Sequence, residues 1–147
     1  MWTKFINTQV FSTNEMKTSI ALVLKKDLPT GLVGNICACL ATGLTGIDPE
    51  INGEDFEAQG LTYRGITKVP IVVVTENQLG IDEVLKRCIK RKIDFVLYDE
   101  KAIKETSYLN YMKVVKNLSE NRVILGIGVV GEPDQVRKII GDLPLLK

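Results

Sequence analysis

Short apolar runs alternate along this chain with stretches that are apolar on one stripe at helical spacing, and that alternation sets the expected fold. Ser19–Leu24 is a β-rich apolar run and reads as a buried strand. After Lys25, Lys26 and Asp27 the chain turns at Pro29 and Gly31. It then places Leu32, Val33, Ile36, Cys37, Leu40, Ala41 and Leu44 on one helical stripe, with Gly43 and Gly46 expected to help end the helix. Residues 47–68, with Pro49, Gly53, Gly60 and Gly65, are turn-rich and predict a hairpin or a long excursion that is able to carry function.

Ile71–Thr75 reads as a second buried strand, with Pro70 at its start where a missing donor does least harm. The next helix turns Ile81, Val84, Leu85, Cys88 and Ile89 inward. Its Lys86, Arg87, Lys90, Arg91 and Lys92 form a solvated face that complements the helix dipole. Asp94–Tyr98 is the third expected strand, followed by a helix around Tyr108–Leu118. Arg122–Ile127 is the fourth strand, and a last short helix spans Glu132–Gly141. Strands alternating with helices predict a three-layer α/β/α sandwich around a small sheet. Crossovers of this length permit parallel pairing, and periodicity leaves open whether a strand runs antiparallel.

With 147 residues the chain suits one α/β domain, expected over 16–147, behind an N-terminal extension at 1–15. Trp2, Phe5, Ile6, Val10 and Phe11 make that extension too apolar for a solvated tail. It either docks on its own domain or reaches a second subunit, so a homo-oligomer, a dimer foremost, is expected. Met16 offers an alternative start. No apolar run is read as membrane-spanning and no leader pattern is present, so a cytoplasmic protein is expected.

A net charge of +1 gives no overall field for a polyanion. Cys37, Cys39 and Cys88 sit among apolar residues and read as free buried thiols of a reducing compartment. The chain has no histidine and no second cysteine pair. No metal site and no cofactor are therefore expected, and a nucleophilic cysteine would lack the base that activates it.

Open α/β sheets place ligands at the carboxyl ends of their strands, and the polar residues there are the candidates. Asp27 can orient a hydroxyl or amine or act as a general base, or it can bond its own turn. Lys25 and Lys26 alternate in direction, so at most one shares the cleft. Asn35 lies on the first turns of a helix, near exposed N–H groups that suit an anion or carbonyl oxygen. Tyr98 and Asp99 should open on the same edge as Asp27, with Thr75 a lesser candidate. Gly126-Ile127-Gly128 lacks the context of a dinucleotide fingerprint and reads as close backbone packing.

KKDLPTGLVGNICACLATGL and VILGIGVVGEPDQVRKIIGDLPLL resemble the opening and closing elements of the type II peptidyl-tRNA hydrolases. The whole from Met16 to Lys147 more closely resembles the domain-of-unknown-function family 2000. Its marks are Asp27–Leu28, Asn35, Ala41-Thr42-Gly43-Leu44-Thr45-Gly46, Pro49-Glu50 with Gly53, and Leu143-Pro144-Leu145. The resemblance implies a four-stranded mixed sheet with helices on both faces. Aligned on Cys37, the hydrolase lysine, glutamine and histidine become Leu32, Ile36 and Cys39, and Thr106 is the nearest match to the hydrolase threonine. The scaffold is shared and that catalytic set is not, so tRNA is not an expected partner.

The leading expectation is a binding protein that holds a small polar or anionic ligand with Lys25, Asp27, Asn35, Tyr98 and Asp99. One alternative is a histidine-independent hydrolase or transferase, with Asp27 as the candidate catalytic residue and Lys25 or Tyr98 as its acid–base partner. The other is an oligomeric or regulatory interaction module.

Overall fold

The structure is a computed structural model and describes residues 18–147. The expected extension at 1–15 and the start at Met16 lie outside the described residues. Four strands form the main sheet: β1 (Ser19–Leu24), β4 (Ile71–Thr75), β5 (Asp94–Asp99) and β6 (Ile124–Gly131). β2 (Phe56–Ala58) and β3 (Leu61–Tyr63) form a separate hairpin. The helices are α1 (Thr30–Ile47), α2 (Ile81–Arg91), α3 (Tyr108–Lys116) and α4 (Pro133–Ile140).

The order across the sheet is β4-β1-β6-β5. β1 pairs parallel with β4, and β6 runs antiparallel to both β1 and β5, so the sheet is mixed. These directions bring the carboxyl ends of β1, β4 and β5 to one edge, beside the start of β6. Lys25, Glu76 and Glu100 therefore leave the sheet side by side. Lys25 N–H bonds Leu125 O at 2.9 Å, Glu76 N–H bonds Leu24 O at 3.0 Å, and Glu100 N–H bonds Val123 O at 2.9 Å.

Side-chain alternation on β1 divides the core into two layers. Ile20, Leu22 and Leu24 pack towards α1, with Ile36, Leu40 and Leu44. Ala21 and Val23 pack on the other face, with Val84 and Cys88 of α2 and Val136 and Ile139 of α4. Gly126 and Gly128 face α1. A Cβ at Gly126 would lie 2.6 Å from Ile36 Cγ2, and one at Gly128 would lie 3.1 Å from Leu44 Cδ1. Their missing side chains let α1 seat closely on β6, which is the packing role expected of them.

Several boundaries differ from expectation. α1 does not end at Gly43 but runs through it to Ile47, because Gly43 faces the sheet and leaves room for Val96, 2.7 Å from where its Cβ would be. At 18 residues, uncharged and with mean hydropathy 1.4, α1 is long and apolar enough to cross a membrane by length and composition. The sequence reading missed this by taking its glycines as breaks. Here α1 lies along the sheet and buries Ile36, Leu40 and Leu44. β6 starts two residues later than expected and continues to Gly131, since alternating glycines hide its apolar period. α3 buries no residue fully and stands apart from both core layers.

Candidate functional site

The turn after β1 is fixed on both sides. Lys25 is bonded to β6, as above, while Lys26 N–H donates to Glu76 Oε2 at 2.8 Å. The other oxygen of Glu76 accepts from Ile81 N–H at 3.0 Å, at the first residue of α2. Glu76 is 7% exposed, and its charge is spent on two backbone donors. It ties the turn that carries Asp27 to the start of α2. The sequence reading missed Glu76, although an acidic residue ending a buried strand before a helix is a recognisable signal.

Asp27 itself adopts a left-handed backbone with φ of 62°. It is exposed, and among the described residues its carboxylate has no hydrogen-bond partner. The turn-bonding role held open for it is therefore not what the structure shows. Pro29 caps α1 without a side-chain bond.

Asn35 and Tyr98 meet. The Tyr98 hydroxyl donates to Asn35 Oδ1 at 3.1 Å, joining β5 to α1 across 63 residues of sequence. The Cys39 thiol, one turn along α1, approaches the same oxygen at 3.9 Å, which is a weak contact. The Asn35 amide donors are left without a protein partner among the described residues. Tyr98 is 6% exposed, and burial, with the Cys39 charge adding, pushes its phenol above the ordinary tyrosine range. Tyr111 of α3, absent from the expected set, stands beside Asp99. Burial raises its phenol most, and the Asp99, Tyr108 and Tyr98 charges add to this against an opposing Asp99 backbone N–H. Both phenols therefore stay protonated at neutral pH, and that of Tyr98 donates to Asn35.

Other expected site residues are placed differently. Asp99 is 3% exposed, and its Oδ1 accepts from Lys101 N–H at 2.9 Å. It caps the short 3₁₀ helix Glu100–Ile103 and does not open on the surface, because β5 extends one residue further than its apolar run. Thr75 N–H bonds Pro144 O at 2.9 Å, where the C-terminal residues cover the β4 edge. Lys25 and Asp27 share the sheet edge with Asn35 and Tyr98, but no hydrogen bond joins the two pairs.

The cysteines are not uniformly buried. Cys39 is exposed, Cys37 is half-buried, and only Cys88 is enclosed, with its thiol pushed up to about 11 by burial. The expected stripe of Ile36, Leu40 and Leu44 does face the core, and Cys39 lies off it, so apolar neighbours in sequence were a poor guide to its burial. Among the described residues no three His, Cys, Asp or Glu side chains are grouped to hold a metal ion.

The fold agrees with the relationships of the chain. A family described as a protein of unknown function, DUF2000, matches residues 18–147, and the chain belongs to that family. The solved structure of Atu0240, a protein of unknown function from Agrobacterium tumefaciens, is similar at 26% identity with a TM-score of 0.82. The match covers 89% of this chain and 98% of that one. No curated protein matches the chain.

Proposed function

We propose that this DUF2000 protein binds a small polar ligand at the carboxyl edge of its sheet, with Asn35 and Tyr98 as the base of the site. The observation that carries the reading is the Tyr98–Asn35 bond at 3.1 Å. It orients the Asn35 carboxamide by occupying its oxygen, and its N–H donors remain for a carbonyl, carboxylate or other acceptor on the ligand. Lys25 and Asp27 lie on the neighbouring turn and supply the charged part of the edge.

The scaffold is read as type II peptidyl-tRNA hydrolase-like, with Leu32, Ile36 and Cys39 where those enzymes carry lysine, glutamine and histidine. That exchange supports binding without their chemistry. The three cysteines suit a reducing cytoplasm. A homodimer belongs to the same proposal and rests on the apolar residues within 1–15. Light scattering of the full chain and of a Met16 start tests it.

A thermal-shift screen of metabolites and nucleotides tests the binding reading. Compounds that raise the wild-type Tm are expected to lose most of that shift with Asn35→Ala and Asp27→Ala. Hits that bind both variants as well as wild type would show that the site is elsewhere.

A second reading, a histidine-independent hydrolase or transferase, is favoured by the exposed Asp27 carboxylate, which has no hydrogen-bond partner among the described residues. Asp27 would be the base, and Tyr98, which holds its proton, would be the donor rather than the base. Peptidyl-tRNA is the first substrate to assay. No turnover with protein in excess removes that version.

A further inference from the structure

On the opposite face of the sheet from Asn35, a groove of about 370 Å³ that is open to solvent lies between α2 and the loop that enters β6. That volume falls within the range of small-molecule sites, roughly 300–1,000 Å³. Leu85 and Ile89 of α2 supply apolar lining, and Ile89 is 59% exposed although the helix has a well-packed inner side. Asp82 and Lys86 lie on the same helix face, at the i and i+4 positions around them. Glu120 and Arg122 line it from the loop.

Two carboxylates and two cations thus share one lining with Ile89 and the 6% of Leu85 that is exposed, and none of them pairs with another within 4.0 Å. The single ion pair among them is directed elsewhere, from Lys101 Nζ to Glu120 Oε1 at a long 3.4 Å, and the second Glu120 oxygen is free of it. Asp82, Lys86 and Arg122 make no ion pair among the described residues. A lining balanced in sign disfavours a phosphate or another multiply charged anion, which would meet two carboxylates. A molecule that carries one carboxylate, one ammonium and an apolar group satisfies all three features at once.

We propose that this groove binds a free α-amino acid with an apolar side chain. The ammonium is held by the Asp82 and Glu120 carboxylates, the carboxylate by Lys86 and Arg122, and the side chain lies against Leu85 and Ile89. The site is independent of the Asn35–Tyr98 edge, so either assignment can fail alone.

The test uses the full-length chain, ¹⁵N-labelled, titrated with L-leucine as the probe. Isocaproate and isoamylamine, which each keep only one of its two charges, serve as the comparison. Leucine is expected to shift the backbone amides of Leu85, Lys86, Ile89, Asn121 and Arg122. Each analogue, and each of the variants Glu120→Gln and Arg122→Gln, should weaken binding about tenfold, the loss of one charge-assisted contact. Raising ionic strength should weaken leucine binding further, since these charges face solvent. Both substituted residues are exposed, and an unchanged Tm verifies that the variants fold. The proposal is overturned if leucine moves none of these amides at millimolar concentration, if the one-charge analogues bind as well, or if the shifts fall at Asn35 and Tyr98.

Discussion

α1 covers its face of the sheet without one charged residue, whereas α2 and α4 cover the other with charges on every turn. The first face is held by close backbone approach over Gly126 and Gly128 and by interdigitated Ile36, Leu40 and Leu44. The second is held by apolar stripes and by a clamp of side chains across helix ends. Arg87 of α2 bonds both oxygens of Asp142 at 2.7 and 3.0 Å, and also the Ile139 carbonyl at 2.8 Å. Asn77 reaches Asp142 from the loop after β4 at 3.0 Å. Packing therefore carries most of one face, with the Tyr98–Asn35 bond at its edge, and the other adds a charged latch at its rim. The polar groups of the α1 face are left for the Asn35–Tyr98 edge.

The strongest way to break this contrast is a cavity under α1. Leu40 has 0% exposure and packs where Gly126 and Gly128 admit the helix. Leu40→Ala is expected to destabilise the fold by about 3 kcal/mol, by lost transfer energy and an unfilled void. Urea unfolding should show a lower midpoint with an unchanged slope. Ile89→Ala on α2, where the side chain is 59% exposed, should change the midpoint little. Equal losses at the two positions would contradict the packing described for α1.

On the other face the latch is the term to remove. Arg87→Ala should cost about 1–2 kcal/mol, more than an open surface pair because the guanidinium side chain is only 18% exposed. It should cost less than a buried pair, because Asp142 is 49% exposed and screened by water. The hydrogen bond from Arg87 holds the Asp142 carboxyl below its ordinary value of 3.8, with burial opposing and the Arg87 charge adding. A carboxyl depressed on folding contributes stability that is fully present above 3.8 and is lost as pH falls through its lower folded value. Arg87→Ala should therefore lose less stability than wild type on acidification through that window. Parallel pH profiles of the two proteins would remove Asp142 from the latch.

Strands β1 and β4 were legible because each is a short apolar run closed by a charge or a proline, and both fall at the expected residues. β6 was displaced because Gly126, Gly128 and Gly131 carry no side chain from which to read a period. Asn35 and Tyr98 were legible as candidates because each is a polar residue next to a strand end or helix start. Their mutual contact was not, since it depends on β5 lying at the sheet edge under α1. Cys39 was misplaced for a different reason. Its apolar neighbours suggested burial, yet it lies off the helical stripe of Ile36, Leu40 and Leu44 that does face the core. Glu76 and Asp99 show the converse, as both are acids that turn inward to satisfy backbone N–H groups.

Tyr98 is where the uncharged face and the polar edge join, and removing its hydroxyl separates them. Tyr98→Phe keeps the packing against α1 and deletes the bond to Asn35. The expected loss is about 1 kcal/mol, that of one hydrogen bond whose acceptor can turn to water. The Asn35 side-chain amide resonances should also broaden or shift as the carboxamide is released. A stability loss as large as that of Leu40→Ala would mean that Tyr98 matters as core rather than as the support of Asn35.

The smallest effect has the opposite sign. Asp27 holds a φ of 62°, a conformation that is unfavourable for a residue with a side chain and open to glycine. Two backbone bonds force it there: Lys25 N–H to Leu125 O at 2.9 Å and Lys26 N–H to Glu76 Oε2 at 2.8 Å, on opposite sides of the turn. Asp27→Gly should relieve this strain and stabilise the protein by about 0.5 kcal/mol, the strain relief exceeding the entropy that glycine adds to the unfolded chain. The same substitution removes an exposed carboxylate that no described residue engages. A rise in Tm together with loss of ligand-induced shift would mark Asp27 as a residue kept for binding at the expense of stability. A fall in Tm would instead mean that the carboxylate supports its own turn, and Asp27 would leave the candidate site.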